Sequence, residues 1–331
     1  MAALPSLRQL SYLVALADTL NFTQAAQVCY VTQSTLSGGL QELEKTLGAQ
    51  LVERTRQRVS FTDLGRDVVG RARGLLTMAR DLSEHVARAA RPMTGLVRLG
   101  AIPTIAPYVL PRLVRALRER HAELRAALRE DQTEPLLARV REGRLDFALI
   151  ALPYDTTGLQ VREVASDELW LVAPEGDPAL KRANLRIEAL DAQRLLLLED
   201  GHCLRSHTLE GCRLSEQANP NGLEATSLPT LVQMVEEGLG IALVPEMALK
   251  AGLLEGSSLV ARPLAAPAPR RGIALVARDT SARTAEFDAL AQLARELFSS
   301  PPALRRRSRA RSGPGDQRTD ASGVTGNTAL I

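Results

Sequence analysis

Residues 21–48 read NFTQAAQVCYVTQSTLSGGLQELEKTLG, and this stretch decides the fold of the N-terminal part of the chain. Asn21 is a good N-cap for a short helix over Phe22–Tyr30, in which small apolar residues recur on one face. Thr32 is a second N-cap, and it begins a longer helix over Gln33–Leu47. Two helices with so tight a connection predict a helix-turn-helix, although an ordinary three-helix bundle with a polar surface has the same periodicity.

The first turns of the longer helix carry short hydrogen-bonding side chains, namely Gln33, Ser34, Thr35 and Ser37. In a helix-turn-helix the last helix lies in the major groove of DNA, and its first turns contact base edges. Side chains of this kind suit base edges and phosphates. We therefore expect these four residues to contact double-stranded DNA.

The flanking segments complete the predicted module. Residues 6–20 have apolar residues at helical spacing and predict a preceding helix. Residues 51–62, LVERTRQRVSFT, alternate as two short strands around a turn, which is typical of a wing beside a recognition helix. Arg54, Arg56 and Arg58 lie in that hairpin and would bind phosphates, unless the segment is a solvated basic loop.

A long helix follows the hairpin. Thr62 is a good N-cap, and helical periodicity continues to about Arg91, ahead of Pro92. Apolar residues recur along this helix in a repeating stripe. A long amphipathic helix between two domains is typical of a dimer contact, although it could also pack on its own domain. We interpret residues 66–92 as a linker and dimerisation helix.

Beyond this helix the pattern changes to strands that alternate with helices. Strand-like runs read LVRLGAI, LRAALRE, DFALIAL, LWLVAP, LLLLE, IALVP and IALVAR. Such alternation predicts an α/β fold with a largely parallel sheet that is covered on both faces. Residues 93–299 are enough for two α/β lobes with a cleft between them. Ligands of such folds bind beyond the carboxyl ends of strands, where Thr104 and Thr133 are expected.

Charge is distributed unevenly along the chain. Residues 1–92 carry 11 basic and 8 acidic residues, residues 93–299 have a net charge of −4, and residues 300–331 carry six Arg and two Asp. A basic N-terminal segment on an acidic body fits a nucleic-acid-binding module joined to something else. We predict a winged helix-turn-helix domain over residues 1–65, an effector domain over 93–299, and a disordered basic tail over 300–331.

The composition also bears on the compartment. No apolar run approaches the roughly 18 residues that a membrane span needs. The N-terminus, MAALPSLRQL, lacks the basic and apolar regions of a secretory signal. We expect a cytoplasmic protein that does not contact a membrane. An odd count of three cysteines argues against a structural disulfide framework there.

Two of the three cysteines lie close together in residues 195–212, LLLLEDGHCLRSHTLEGC. Cys203 follows His202 directly, and Cys212 comes nine positions later. A cytosolic thiol becomes a redox sensor when it is rich in thiolate and reachable by oxidant, and a cationic His202 would lower its pKa. On spacing alone, however, the pair could be inert packing residues or zinc ligands. Cys29 is expected to be a small core residue.

Residues 7–65 resemble the LysR-type transcriptional regulators throughout the predicted winged helix-turn-helix. The effector region is similar to the peroxide-sensing members of that family. The motifs that carry this similarity are AIPTIAPYVLP (101–111), LLEDGHCLR (197–205) with Cys212, and ATSLPTLVQMVEEGLGIALVP (225–245). The resemblance extends to about residue 298. It implies a two-lobed effector domain of the periplasmic-binding-protein-like kind.

The same resemblance implies a peroxide pocket in which Thr104, Thr133, His202 and Arg271 surround Cys203. Attack by the thiolate would give a sulfenic acid, which Cys212 would convert into a disulfide. If the intervening segment is helical, nine residues at about 1.5 Å each separate the cysteines by roughly 13 Å. A disulfide needs Cα atoms within about 7 Å, so the segment would refold before the bond closes.

The expected partners are promoter DNA, further copies of the chain in a homodimer or homotetramer, RNA polymerase, hydrogen peroxide as the signal, and a thiol reductant of the glutaredoxin or thioredoxin type. We expect no cofactor, no metal and no enzymatic activity. The main alternative is a LysR-type regulator that responds to a small metabolite in the cleft. A thiol peroxidase would not need the DNA-binding module, and a zinc-dependent hydrolase lacks its HExxH motif here.

Overall fold

The computed structural model describes residues 4–54, 59–90, 93–182, 184–215, 218 and 222–299, and the side chains of 54, 81, 84, 85 and 87–90 are also outside the description. Within these ranges, every helix is too short or too polar to cross a bilayer. The predicted disordered tail, residues 300–331, lies outside the described residues.

Three helices begin the chain: α1 (Leu7–Thr19), α2 (Phe22–Val28) and α3 (Gln33–Leu47). The predicted N-caps Asn21 and Thr32 are confirmed. The Asn21 side chain accepts hydrogen bonds from the first turn of α2, and the Thr32 hydroxyl accepts one from the Thr35 amide. Fully buried leucines of α1 and α3 form the core of this three-helix unit.

Gly39 lets α3 pack closely on α1. A Cβ at this position would lie 2.7 Å from the ring of Tyr12, whereas a Cβ at Gly38 would meet nothing within 4 Å. The helix continues without a break through both glycines. Only Gly39 is therefore explained by packing.

A hairpin and a long helix follow. The antiparallel strands β1 (Val52–Arg54) and β2 (Val59–Phe61) form the predicted wing. The tip with Arg56 and Arg58, and the side chain of Arg54, lie outside the described residues. Helix α4 (Asp63–Ala90) then runs for 28 residues. Val69 and Ala72 are buried against the three-helix unit, whereas Leu75, Met78, Leu82 and Val86 are 47–68% exposed.

The remaining strands and helices alternate in part as the sequence indicates. They are β3 (Gly95–Ala101), α5 (Ala106–Arg120), β4 (Leu124–Glu130), α6 (Thr133–Arg141), β5 (Phe147–Leu152), β6 (Leu159–Pro174), β7 (Leu197–Leu198), α7 (Cys203–Gly211), β8 (Glu224–Ala225), α8 (Leu228–Glu236), β9 (Ala242–Pro245), α9 (Glu246–Lys250), β10 (Leu259–Arg262), β11 (Arg270–Arg278) and α10 (Thr284–Ser299). Short 3-10 helices lie at Pro178–Lys181, Ile187–Ala189 and Ala192–Arg194.

The main sheet has seven strands and is mixed, so the prediction of a largely parallel sheet is wrong. In this sheet β3 pairs in parallel with β4 and β5. Strand β11 enters between β5 and β6 and is antiparallel to both, and β6 is antiparallel to β9 and β10. An apolar run that is buried on both faces has the same composition in either direction, so the sequence pattern does not report orientation.

Two hydrophobic cores correspond to the two predicted lobes. The first lies around β3, β5 and β11 with α5, α6 and α10. The second lies around the end of β6 with β7, β9 and α8. Strand β6 belongs to both, since residues 159–168 pair with β11 and residues 169–174 pair with β9 and β10. The ring of Tyr108 packs against both cores, which places the junction of the lobes near the start of α5.

Candidate functional site

Cys203 is the first residue of α7 and lies where the two lobes meet. Leu204 and Leu209 of α7 belong to the second core, yet the Cys203 side chain packs into the first core and is only 8% exposed. The turn before it contains Gly201 at φ +89°, and a Cβ there would lie 2.4 Å from the side chain of Gln132. The positive φ therefore favours glycine at this turn, and the missing Cβ lets Gln132 lie against it.

Among the groups that act to lower the pKa of the Cys203 thiol, the positive charge of Arg271 has the largest effect. Its side chain is completely buried. Nη1 donates to the Thr104 hydroxyl at 2.7 Å, and Nη2 donates to Asp167 Oδ2 at 3.0 Å. Thr104 and Arg271, which the sequence could only connect through a resemblance, are thus direct neighbours.

Thr133 begins α6 and completes this pocket. Its side chain is 1% exposed, and hydrogen bonding to it acts to lower the pKa of Cys203. Within the described part of the chain, the Thr133 hydroxyl nevertheless makes no well-formed hydrogen bond. A buried hydroxyl without a good partner is unusual and leaves a polar position open beside the sulfur.

The pKa of the Cys203 thiol is raised above its ordinary value, because burial penalises the thiolate. The charge of Arg271, its hydrogen bond, the Thr133 hydroxyl and the Leu204 amide oppose this shift without overcoming it. Asp167 weakens the effect of Arg271, since its buried carboxylate neutralises the guanidinium. In this conformation the Cys203 thiol is therefore buried and mainly protonated at pH 7.

His202 differs from its expected role. It is 6% exposed, and burial lowers its pKa despite the nearby Glu199 and a hydrogen bond with the Thr226 backbone. The imidazole is therefore neutral at pH 7 and supplies no positive charge to the thiol. In this conformation burial therefore disfavours the protonated imidazole, which is the condition under which His202 would lower the pKa of Cys203.

Cys212 is the C-cap of α7 and packs against the second core, whereas Cys203 belongs to the first. Burial, together with the charge of Glu188, raises the pKa of the Cys212 thiol to about 11. Both thiols are free, and the intervening residues are helical. Nine residues of helix separate their Cα atoms by roughly 13 Å, about twice the reach of a disulfide.

Arg205 holds the cysteine helix in this conformation. Its buried guanidinium donates to the Leu198 carbonyl at 3.1 Å, to Glu224 at 2.9 Å and to the Ala218 carbonyl at 3.0 Å. These partners lie on both sides of α7 in the sequence. Unwinding of the helix would therefore also disturb this network.

The sequence alone did not place Asp167 or His207 beside Arg271. Asp167 lies within the polar first part of β6, which the apolar pattern did not identify as a strand, and it fixes Arg271. His207 is 8% exposed, and the charge of Arg271 adds to burial in lowering its pKa. The only available signal for His207 was its spacing of four residues from Cys203, which puts both on one helix face.

The candidate DNA-contacting residues lie together on the first turns of α3. Gln33, Ser34 and Thr35 are exposed, and Ser37 is half-buried. The Thr32 hydroxyl bonds the hydroxyls of Ser34 and Thr35 at 2.9 and 2.8 Å, which orders this surface. Cys29 is half-buried against the core of the three-helix unit, as expected for a small packing residue.

No metal site accompanies these groups in the described ranges, where no three His, Cys, Asp or Glu side chains gather closely enough to hold an ion. His202, Cys203, His207 and Cys212 therefore do not form a zinc site in this conformation. The arrangement instead offers two thiols, a guanidinium and an open hydroxyl position, which is a set suited to thiol oxidation.

Two family models match nearly the whole described chain. A bacterial regulatory helix-turn-helix protein of the lysR family matches residues 7–66, and a LysR substrate binding domain matches residues 90–299. The HTH-type transcriptional regulator EstR of Acinetobacter baylyi is 45% identical, covering 90% of this chain and 98% of that protein. A probable hydrogen peroxide-inducible genes activator of Mycobacterium leprae is 40% identical, covering 89% and 95%.

Solved structures agree with these matches. A full-length OxyR from Pseudomonas aeruginosa with a cysteine-to-aspartate substitution has a TM-score of 0.74 and 31% identity, covering 88% of this chain and 95% of that one. A hydrogen-peroxide-bound cysteine-to-serine mutant of OxyR from Corynebacterium glutamicum has a TM-score of 0.60 and 33% identity, covering 90% and 94%. The similarity in both cases spans the helix-turn-helix and the effector region.

Proposed function

Because the chain belongs to the LysR family of transcriptional regulators, we propose that it is a DNA-binding regulator that senses hydrogen peroxide through Cys203 and Cys212. The observation that carries the proposal is the packing of Cys203 beside Arg271 and the open Thr133 hydroxyl. The names of the Mycobacterium leprae relative and of the peroxide-bound OxyR structure support the same signal.

The first chemical step is attack of the Cys203 thiolate on one oxygen of hydrogen peroxide. A sulfur–oxygen bond forms, the oxygen–oxygen bond breaks, and the departing hydroxide takes up a proton to leave as water. The Thr133 hydroxyl would orient the peroxide, and the Thr104–Arg271 pair would stabilise the negative charge that moves to the leaving oxygen. The product is a sulfenic acid on Cys203.

In the second step the Cys212 thiol, after losing its proton, attacks the sulfenic sulfur. A disulfide forms and a second water leaves. The pKa of Cys212 of about 11 and its place in the other core mean that it must first leave its present surroundings. Helix α7 would therefore unwind, and a local covalent event would become a two-state change of the effector domain.

DNA binding is assigned to the first turns of α3 and to the wing. Gln33, Ser34, Thr35 and Ser37 would contact base edges and phosphates, and Arg54, Arg56 and Arg58 would contact phosphates. The protein would act in the cytoplasm as a homodimer or homotetramer. The exposed apolar residues in the second half of α4 support this, because such a stripe needs a covering partner in water.

The DNA-binding domain would span residues 1–65, the linker and dimerisation helix 66–92, and the effector domain 93–299. RNA polymerase would be recruited at the promoter, and a glutaredoxin or thioredoxin would reduce the disulfide. We expect no catalytic turnover of peroxide, since one disulfide is formed in each response and reset elsewhere.

A metabolite-responsive regulator is the second candidate, in which the cysteines are idle. Two observations favour it: the buried Cys203 thiol has a raised pKa, and the relative with 45% identity carries a name that mentions no peroxide. The effector would then bind between the lobes. Its effect on DNA binding would not depend on the redox state of the thiols.

A peroxide titration of the reduced, full-length protein separates the two candidates. Mass spectrometry should show a Cys203–Cys212 linked peptide after about one equivalent of peroxide, and Cys203→Ser should abolish the transcriptional response while DNA binding remains. Cys29→Ser is the matched control, because it removes a thiol outside the pocket. A full response by Cys203→Ser, or a linkage through Cys29, would contradict the peroxide proposal.

A further inference from the structure

Helix α6 connects the thiol pocket with the DNA-binding module. Its first residue, Thr133, lies beside the Cys203 sulfur, and its C-cap is Glu142, which contacts α4. Nine helical residues give it a length of about 13 Å. Because a helix of this length moves as a rigid body, a displacement at one end is felt at the other.

The far end of α6 is fitted closely to α4. The Thr77 hydroxyl, on a side chain that is 5% exposed, donates to the Glu142 carbonyl at 2.7 Å. The next residue, Gly143, has φ +69°, and a Cβ there would lie 2.4 Å from the Thr77 side chain. Both the backbone conformation and this approach require glycine. The turn after α6 is therefore shaped to the surface of α4.

Charged side chains extend this contact to α1 of the helix-turn-helix. Asp18 near the end of α1 accepts from Arg73 of α4 at 2.6 Å and from Arg144 at 3.2 Å. Arg144 Nε also lies 3.0 Å from Glu142 Oε2. We call Asp18, Arg73, Glu142 and Arg144 the α1–α6 network. Its two positive and two negative side chains lie on α1, on α4 and in the turn after α6.

The near end of α6 touches the segment that must move on oxidation. Gln132, its N-cap, donates to the Asp200 carbonyl at 3.2 Å and packs on Gly201, two residues before Cys203. Leu136 and Leu137 of α6 belong to the same core as the Cys203 side chain. Withdrawal of Cys203 would therefore remove contacts from the first turn of α6.

We propose that α6 transmits the redox state of Cys203 to the DNA-binding module through the α1–α6 network. This inference rests on the proposed function, because it requires Cys203 to leave its pocket when the disulfide forms. The freed first turn allows α6 to shift. This shift changes the packing of Gly143 against Thr77 and the distance from Arg144 to Asp18. The helix-turn-helix then changes its orientation on the effector domain.

The test uses the full-length variants Arg144→Gln, Asp18→Asn, their combination, and Thr77→Val. The readout is the ratio of DNA affinities of reduced and oxidised protein at fixed salt. Each single variant should bring the wild-type ratio closer to one by about threefold or more, the range known for couplings of this kind. Because both charged residues act through one network, the combined variant should shift the ratio no further than Asp18→Asn does.

The matched control is Arg120→Gln. It removes a similarly exposed ion pair, Arg120 with Glu296 at 2.6 Å, that joins α5 and α10 within the effector domain. Its ratio should equal that of the wild type. Mass spectrometry of the Cys203–Cys212 peptide accompanies every measurement, and all variants should form it at the wild-type yield.

The two proposals fail in distinguishable ways. A linked peptide in all variants, with the wild-type affinity ratio in Arg144→Gln, Asp18→Asn and Thr77→Val, would overturn the inference and leave peroxide sensing intact. An equal loss of coupling in the Arg120→Gln control would also overturn it. If the wild-type protein forms no linked peptide, the proposed function fails and the inference fails with it.

Discussion

Two buried threonine hydroxyls beside Arg271 differ at the level of single hydrogen bonds. The Thr104 hydroxyl accepts from Arg271 at 2.7 Å, whereas that of Thr133 makes no well-formed bond in the described structure. Loss of a charge-assisted hydrogen bond costs stability, while removal of an unsatisfied hydroxyl does not. We therefore expect a division of roles, in which Thr104 stabilises the fold and Thr133 takes part in the reaction with peroxide.

Valine substitutions test this division. Thr104→Val should lower the free energy of unfolding by about 1–3 kcal/mol, since a buried guanidinium loses an acceptor. Thr133→Val should leave it unchanged or raise it slightly, but should slow sulfenic acid formation at Cys203. Denaturant titration and a sulfenic-acid-specific probe measure the two effects. A stable Thr133→Val protein that reacts at the wild-type rate would remove Thr133 from the peroxide pocket.

The raised pKa of Cys203 makes a prediction about pH. The thiol is mostly protonated at pH 7, so the thiolate fraction should grow about tenfold with each pH unit until the raised pKa is approached. In Cys212→Ser, where the sulfenic acid cannot be resolved, its initial rate of formation should follow the same slope between about pH 6.5 and 8.5. A rate that levels off below pH 8 would mean that Arg271 outweighs burial.

At the level of elements, the sequence predicted the DNA-binding module almost completely. Capping residues and apolar periodicity are local signals, and Asn21 and Thr32 cap α2 and α3 as expected. The strand directions and the first part of β6 were not predictable, because they depend on partners distant in the sequence. Arg271 contacts Asp167, which lies 104 positions earlier in the sequence, and no local sequence pattern near either residue predicts that contact.

The site was predictable only through its motif. The GHCLR segment predicted which thiol would react, but not its burial, which depends on how α7 crosses from one lobe to the other. For the same reason no local pattern reveals that burial lowers the pKa of His202. Charge states of buried groups are properties of the folded molecule.

The two glycines of α3 make a prediction at the same scale. Gly38→Ala should stabilise the protein by about 0.5–1 kcal/mol, because a Cβ meets nothing there and alanine favours the helix. Gly39→Ala should destabilise it, because its Cβ would lie 2.7 Å from the Tyr12 ring. Thermal unfolding without DNA compares the pair. Equal shifts of the same sign would show that the packing of α3 on α1 is not as described.

At the scale of the whole molecule, a bond between two thiols would change how the protein lies on DNA. The reduced form keeps Cys203 and Cys212 in separate cores, so the disulfide cannot form without moving α7 and the contacts between the lobes. Such movement in a homo-oligomer would change the spacing of the recognition helices. The exposed apolar half of α4 is the surface through which the copies would be joined.

The most direct test is a DNA footprint of the reduced and the fully oxidised protein on the region upstream of its own gene, at one salt concentration. The account predicts that the protected length or its periodicity differs between the two forms, and that Cys203→Ser gives the reduced pattern with or without peroxide. Identical footprints from reduced protein and from protein with a complete Cys203–Cys212 bond would contradict it.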